Sequence, residues 1–170
     1  MDSIVSNATP LIYLAKIRRL DLLKIFKEVF IPEEVKYEVV ERGKKFKEKD
    51  AYIVGKAIKD GWLKVINANP VEIPIKLESG EMAAISLAKN LGVPQVLIDE
   101  VSGRTAAELV GLVPRGTLFV LLRALEDKKI SLDEFLRLLD ELVKHGFRLK
   151  EEVYLEAIRK GRELVRERES

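Results

Sequence analysis

Cysteine is absent from the 170 residues, and histidine occurs once, at His145. The first absence excludes disulfides, thiolate zinc sites and cysteine nucleophiles; with the second, it leaves oxygen as the donor for any bound metal. Glutamine is almost missing as well, Gln95 being the only one, while charged residues make up 34%. Such a charged fraction exceeds the roughly 25% usual in soluble proteins, and with so few amides it predicts a thermophilic source. No apolar run approaches the about 18 residues that a membrane span requires, and the N-terminus lacks the basic-then-apolar order of a signal peptide. A soluble, cytoplasmic protein with no membrane partner is expected. Repeats, low-complexity tracts and Gly/Ser linkers are also missing.

What is present is enough apolar material, 47%, for one sizeable core in a chain of single-domain length. The net charge of +2 does not by itself demand a polyanionic partner, and the basic run RGKKFKEK at 42–49 reads as a solvated loop and helix start. Short apolar runs alternate with helical patterns. IVS (4–6), EVFIP (28–32), LKVINA (63–68) and PQVLID (94–99) predict strands, and LVPRGT (112–117) predicts a last strand or loop. Between them, 11–26, 33–42, 50–61, 78–92 and 101–111 carry apolar residues three or four apart, the spacing of one helix face. Thr9 is a candidate cap with Pro10 at the first helical position, and Gly61, Gly92 and Gly111 are candidate C-caps. Three helices follow, the last amphipathic only in its first half, so that its end is expected to project, fray or meet a partner. The alternation implies a doubly wound α/β fold, a parallel sheet between two helical layers, with a C-terminal helical extension. We divide the chain into an α/β domain over 1–148 and a charged helix over 149–170, part of that domain or appended to it.

In such a sheet, ligands gather at the carboxyl ends of the strands. Asp99 ends the buried-strand run VLI, where an acidic side chain requires a reason. Glu81 opens a helix in GEMAAISLA, Glu38 lies one turn past Glu34 in IPEEVKYEVV, and Asn7 occupies the turn after the first strand. Four oxygen-bearing side chains can thus converge on one edge, a set suited to Mg²⁺ or Mn²⁺ and to phosphodiester hydrolysis. Each also has a plainer reading: Glu38 and Glu81 as solvated helix residues, Glu81 as a helix N-terminal acid, Asp99 as a cap, Asn7 as a turn residue.

The order of these motifs resembles the PIN domain, in the branch with an N-terminal Asn/Asp-x-Ser/Thr-Pro-Leu signature related to VapC-type toxin ribonucleases. The stretches that carry the resemblance are SNATPLIYLAKI, IPEEVKYEV, LESGEMAAISLAKNLG, VLIDEVSGRTAAELVG and PRGTLFVLLRAL, and the tail HGFRLKEEVYLEAI extends it to about residue 158. The resemblance implies a metal-dependent endoribonuclease with an RNA substrate, a small antitoxin partner and a homodimer. It also implies a four-acid site for Mg²⁺ or Mn²⁺ that falls on Asn7, Glu38, Glu81 and Asp99, with Glu38, Glu81 and Asp99 catalytic. Thr9, Arg104 and Arg115 then become candidate substrate contacts. At the first position this chain carries an amide where the nucleases carry an aspartate. An amide oxygen can still bind Mg²⁺, but it brings no charge and accepts no proton from an attacking water, so a weakened site is expected. Asp2, roughly 17 Å away along an extended strand, lies at the wrong end to replace it, and Glu100 should point away from Asp99. The alternative is a catalytically silent PIN-like module that binds RNA or protein. A phosphatase or nucleotide-binding domain ranks last, since no Gly-rich phosphate loop follows a strand.

Among the remaining residues, His145 reads as a helix-end residue and Trp62 as a core anchor in preference to a base-stacking platform. Arg115 and Gly116 form a candidate turn that meets phosphate through backbone amides. Leu11, Leu14, Leu22, Leu23 and Phe26 are candidates for either core or pairing surface.

Overall fold

Among the described residues, five strands of three residues each build one parallel sheet: β1 Ile4–Ser6, β2 Val29–Ile31, β3 Leu63–Val65, β4 Gln95–Leu97 and β5 Val113–Arg115. This computed structural model describes residues 2–42 and 49–169; the basic run expected at 42–49 therefore lies almost wholly outside the described residues. The sheet order is β3-β2-β1-β4-β5. From β1 the chain winds outward through β2 and β3, then returns to the other side of β1 for β4 and β5. The reversal between β1 and β4 is the topological switch point, where a crevice opens beyond the strand ends. All four strand expectations hold, and 112–117 contributes β5.

The helices are α1 Ala8–Lys16, α2 Glu33–Lys36, α3 Lys49–Lys59, α4 Ser79–Leu91, α5 Val101–Leu109, α6 Thr117–Glu126, α7 Leu132–Lys144 and α8 Glu151–Glu169. Alternating strand side chains enter opposite cores. Ile4 and Leu97 join α1, α6 and α7 on one face; Val5, Val96 and Ile98 join α4 and α5 on the other. The central strands β1 and β4 are buried along their whole length, as expected of strands covered on both faces, whereas the edge strands β3 and β5 are partly exposed. The fold is the expected three-layer α/β arrangement.

Several local expectations change. The helix anticipated over 11–26 is two pieces, because α1 closes at Lys16 and Arg18 takes φ 60° before a 3₁₀ turn over Leu20–Ile25. Asn7, not Thr9, holds the N-cap position of α1, and the Thr9 hydroxyl is engaged elsewhere. Leu11, Leu14, Leu22, Leu23 and Phe26 are all buried in the main core, so they offer no pairing surface. Trp62 packs against that core with Lys24 Nζ 5.2 Å from its ring centroid. Gly61, Gly92 and Gly111 take the left-handed φ that lets glycine end a helix, and His145 is the C-cap residue of α7.

The last helix does not project. Gly161 of α8 sits so close to α7 that a Cβ there would lie 2.7 Å from Phe135 Cε2. Tyr154 Oη donates to Asp140 at 2.6 Å, and Arg168 near the far end donates to the Leu125 carbonyl at 3.1 Å. Its charged residues cover solvent, while Ala157, Ile158, Leu164 and Val165 face the core. Among the described residues, no helix is long and apolar enough to cross a membrane.

Candidate active site at the sheet switch point

Asn7 follows β1 directly, and its backbone N–H donates to the Leu97 carbonyl of β4 at 2.9 Å. That bond holds the turn against the neighbouring strand at the switch point. The Asn7 side chain is 4% exposed. A buried amide requires partners, and its Nδ2 donates to Glu100 Oε2 at 3.2 Å. The other Glu100 oxygen accepts from the Thr9 hydroxyl. Asn7, Thr9 and Glu100 therefore form one network across the crevice.

Glu38 lies in a π-helical turn, Tyr37–Glu41, that continues α2. Such turns widen a helix and recur at functional sites. Here Val39 and Val40 are both buried, while Glu38 is half-buried and reaches the start of α4. A Cβ on Gly80 would lie 3.1 Å from Glu38 Oε2 and 3.5 Å from Asn7 Oδ1. The bare glycine thus leaves a cradle between these two oxygens that any side chain would fill. Burial raises the Glu38 carboxyl above its ordinary pKa; neighbouring Glu78 and Glu100 add to this, and Arg42 opposes it.

Glu81 is 8% exposed in the first turn of α4. Its Oε1 accepts from the Glu78 N–H at 3.3 Å, the helix N-terminal role anticipated for it. Its Oε2 is buried without a hydrogen-bond partner among the described residues. A Cβ on Gly103 in α5 would lie 2.8 Å from that same oxygen. Burial again raises the pKa; the Glu78 backbone hydrogen bond opposes the rise, and the charges of Glu100, Glu78 and Glu38 reinforce it. An orphaned carboxylate oxygen among like charges is costly unless a cation meets it.

Asp99 turns the other way. Its Oδ1 accepts from the Thr117 N–H at 2.8 Å and its Oδ2 from the Thr117 hydroxyl at 2.7 Å, which fastens the N-terminus of α6 to the end of β4. Its pKa is raised by burial, lowered by the Thr117 bonds, raised by Glu100 and lowered by Arg104, with a net rise. Asp99 and Glu100 engage different partners, but the acid that reaches Asn7 is Glu100, which changes the expectation that no other acid joins that position. No pattern in the sequence separates the two, because the backbone leaves the strand at Leu97 and the side chains are aimed by the turn that follows. The amide of Thr117, which follows the Arg115–Gly116 turn expected to meet phosphate, is taken by Asp99. Arg115 belongs to β5 and donates to Gln95 at 3.1 Å; Arg104 donates to the Ile98 carbonyl at 3.2 Å.

The structure thus gathers Asn7, Thr9, Glu38, Glu81 and Glu100, and sets Asp99, Arg104 and Arg115 along the adjoining wall. Among the described residues, no three acidic or histidine side chains form a ready-made metal cage. The donors nonetheless suit a hard cation: all are oxygens, one is unpartnered, and Gly80 leaves room between two others. A site with few protein ligands is what Mg²⁺ tolerates, since it keeps much of its water.

A family model described as a PIN domain matches residues 3–163 of this chain. No curated protein and no solved structure matches it.

Proposed function

The chain belongs to the PIN domain family, and from that premise we propose that it is a metal-dependent endoribonuclease whose first ligand position is weakened by Asn7. The observation that carries the reading is Glu81 Oε2, buried and unpartnered in a crevice that also holds Glu38, Glu100 and the Asn7 amide oxygen. In this reading Glu38, Glu81 and Asn7 hold Mg²⁺ or Mn²⁺. Asp99 or Glu100 supplies the fourth oxygen; Glu100 is the better placed, since Thr117 occupies both Asp99 oxygens. A cation bound there would offset phosphate charge and acidify water.

The protein's own groups do the rest. Glu38 and Glu81, with pKa values raised by burial and like charge, are suited to hold a proton nearer neutrality than an ordinary carboxylate. The Asn7 amide orients Glu100 by donating to it, a service that an aspartate could not perform. That same bond favours a second reading, the silent RNA- or protein-binding module, because it satisfies part of the site without a metal. As part of the first reading, the chain is the toxin of a toxin–antitoxin pair, inhibited by a small antitoxin and acting as a homodimer.

The test is cleavage of a mixed-sequence RNA in Mn²⁺ and in Mg²⁺ by wild type, Asn7→Asp and Glu81→Gln. Wild type should cut, Asn7→Asp should cut faster and Glu81→Gln should not cut. Activity in Asn7→Asp alone moves the binding module to first place. Equal cleavage by wild type and Glu81→Gln refutes the assignment. Light scattering of the purified chain tests the homodimer.

A further inference from the structure

Glu100 stands 93 residues beyond Asn7 in the chain, yet the parallel pairing of β1 with β4 sets their two turns side by side. The Asn7 amide has two ends that face different ways. Its Nδ2 donates to Glu100 Oε2 at 3.2 Å, while its Oδ1 faces the gap over Gly80, where a Cβ would lie 3.5 Å from it and 3.1 Å from Glu38 Oε2. Chemistry fixes this orientation, because only the N–H end of an amide can donate to a carboxylate. The Thr9 hydroxyl, in the first turn of α1, donates to the other Glu100 oxygen. Both oxygens of Glu100 are thus held from the end of β1, beside the one neutral oxygen that opens toward Glu38.

Hydrogen bonding disqualifies neither Asp99 nor Glu100 as a ligand, since a carboxylate oxygen that accepts one bond keeps a second lone pair. Placement separates them. Both bonds of Asp99 come from Thr117 at the start of α6, and its Oδ1 is packed so closely there that a Cβ on Gly116 would lie 3.0 Å from it. Both bonds of Glu100 come from the turn that lines the crevice. After burial, the charge of Glu100 is among the causes that raise the pKa of Glu38 and of Glu81, so it shares the field of both acids on the facing wall.

Resting on the reading of the crevice as a cation site, we propose that Glu100 supplies the negative charge that position 7 lacks, and that Asn7 and Thr9 are the positioning residues that hold its carboxylate there. The charge then sits one hydrogen bond away from position 7, and the amide contributes its neutral oxygen on one side while orienting the acid on the other. An aspartate at position 7 would set a carboxylate against the Glu100 oxygen that now lies 3.2 Å from Nδ2, an unfavourable pair until a cation comes between them.

The experiment measures Mn²⁺ binding without RNA, from the electron paramagnetic resonance signal of the free ion, so that the readout is independent of cleavage. Glu100→Gln should bind Mn²⁺ at least about tenfold more weakly than wild type, and Asp99→Asn within about threefold of it. Thr9→Val should lose about tenfold and Thr9→Ser should stay within about twofold, since the serine hydroxyl can still orient the acid. The double variant Asn7→Asp, Glu100→Gln returns the charge to position 7 and reverses the hydrogen bond, so it should recover to within about threefold of wild type. Melting in EDTA at neutral pH checks that each variant folds. There Asn7→Asp alone should melt below both wild type and the double variant, because it alone sets two carboxylates together. Wild-type affinity in Glu100→Gln overturns the proposal, as does an equal loss in Asp99→Asn or a double variant no better than Glu100→Gln. A wild type that shows this binding pattern but cuts no RNA supports the proposal and defeats the nuclease reading. RNA cleavage by wild type, with Mn²⁺ binding unchanged in Glu100→Gln, does the reverse.

Discussion

Glu81 carries two roles that pull in opposite directions. One oxygen anchors the start of α4 and the other is buried without a partner, surrounded by carboxylates. Burial and like charge raise its pKa above the ordinary 4.5, so the folded protein binds this proton more tightly than the unfolded chain. The sign follows: stability from this group is fully present below the ordinary pKa and is lost as pH rises through the raised value. In EDTA, the melting temperature of Glu81→Gln minus that of wild type should therefore grow as pH rises from the carboxylate range to neutrality. A difference independent of pH would contradict the environment described. Adding Mn²⁺ at neutral pH should raise the wild-type melting temperature more than that of Glu81→Gln, because binding to the native state alone stabilises it. Asp99 is a different case, since both its oxygens are satisfied by one residue. Thr117→Val leaves Asp99 Oδ2 without its 2.7 Å donor and should cost about 1–3 kcal/mol in chemical denaturation, whereas Thr117→Ser should be close to wild type.

Two helix starts decide what the crevice can hold. At α4, the absence of a side chain on Gly80 keeps open the gap between Glu38 and Asn7; at α5, Gly103 lets the first turn lie against Ile98 and Glu81. In an exposed helix, alanine for glycine is worth about 1 kcal/mol in favour of alanine. At position 103 the sign should reverse. A Cβ there would lie 2.3 Å from Ile98 Cδ1, so Gly103→Ala should destabilise by about 1–3 kcal/mol, measured by urea unfolding. A gain in stability would mean that the α5 packing is looser than described. The π-helical turn of α2 works at the same scale. By widening the helix it lets Val39 and Val40 both enter the core while Glu38 reaches Gly80, a combination that regular α spacing from Val35 does not announce.

For the whole molecule, the question is what α8 does. It covers α6 and α7 with Ala157, Ile158, Leu164 and Val165, and its close approach at Gly161 leaves no gap over Phe135. Burying a large aliphatic side chain is worth about 1.5–3 kcal/mol. Deleting 149–170 should thus cost on the order of 5 kcal/mol, comparable with the net stability of a typical domain. The shortened chain is expected to lose cooperative melting by circular dichroism. If it melts as sharply as the full chain, α8 is an appendage and 1–148 stands alone.

The sequence by itself determined the elements and their order. Short β-branched runs between three-to-four-spaced helices specify a parallel sheet because periodicity is local and burial on both faces leaves a continuous apolar signature. It also marked Asn7, Glu38 and Glu81 as residues at the edge where such a sheet collects its ligands. It did not separate Asp99 from Glu100: one fastens α6 and the other joins Asn7, and adjacent acids look alike until the turn after β4 is built. Nor did it reveal the cleft of about 940 Å³ beside the crevice. Arg104, Arg115, Arg148 and Lys160, which line it, stand far apart in the chain, and only the packing of α8 against α6 and α7 brings them to one surface. Local patterns record which face of an element is buried. Which distant side chains share a cavity is decided by tertiary packing, where contacts between residues remote in sequence leave no periodic trace.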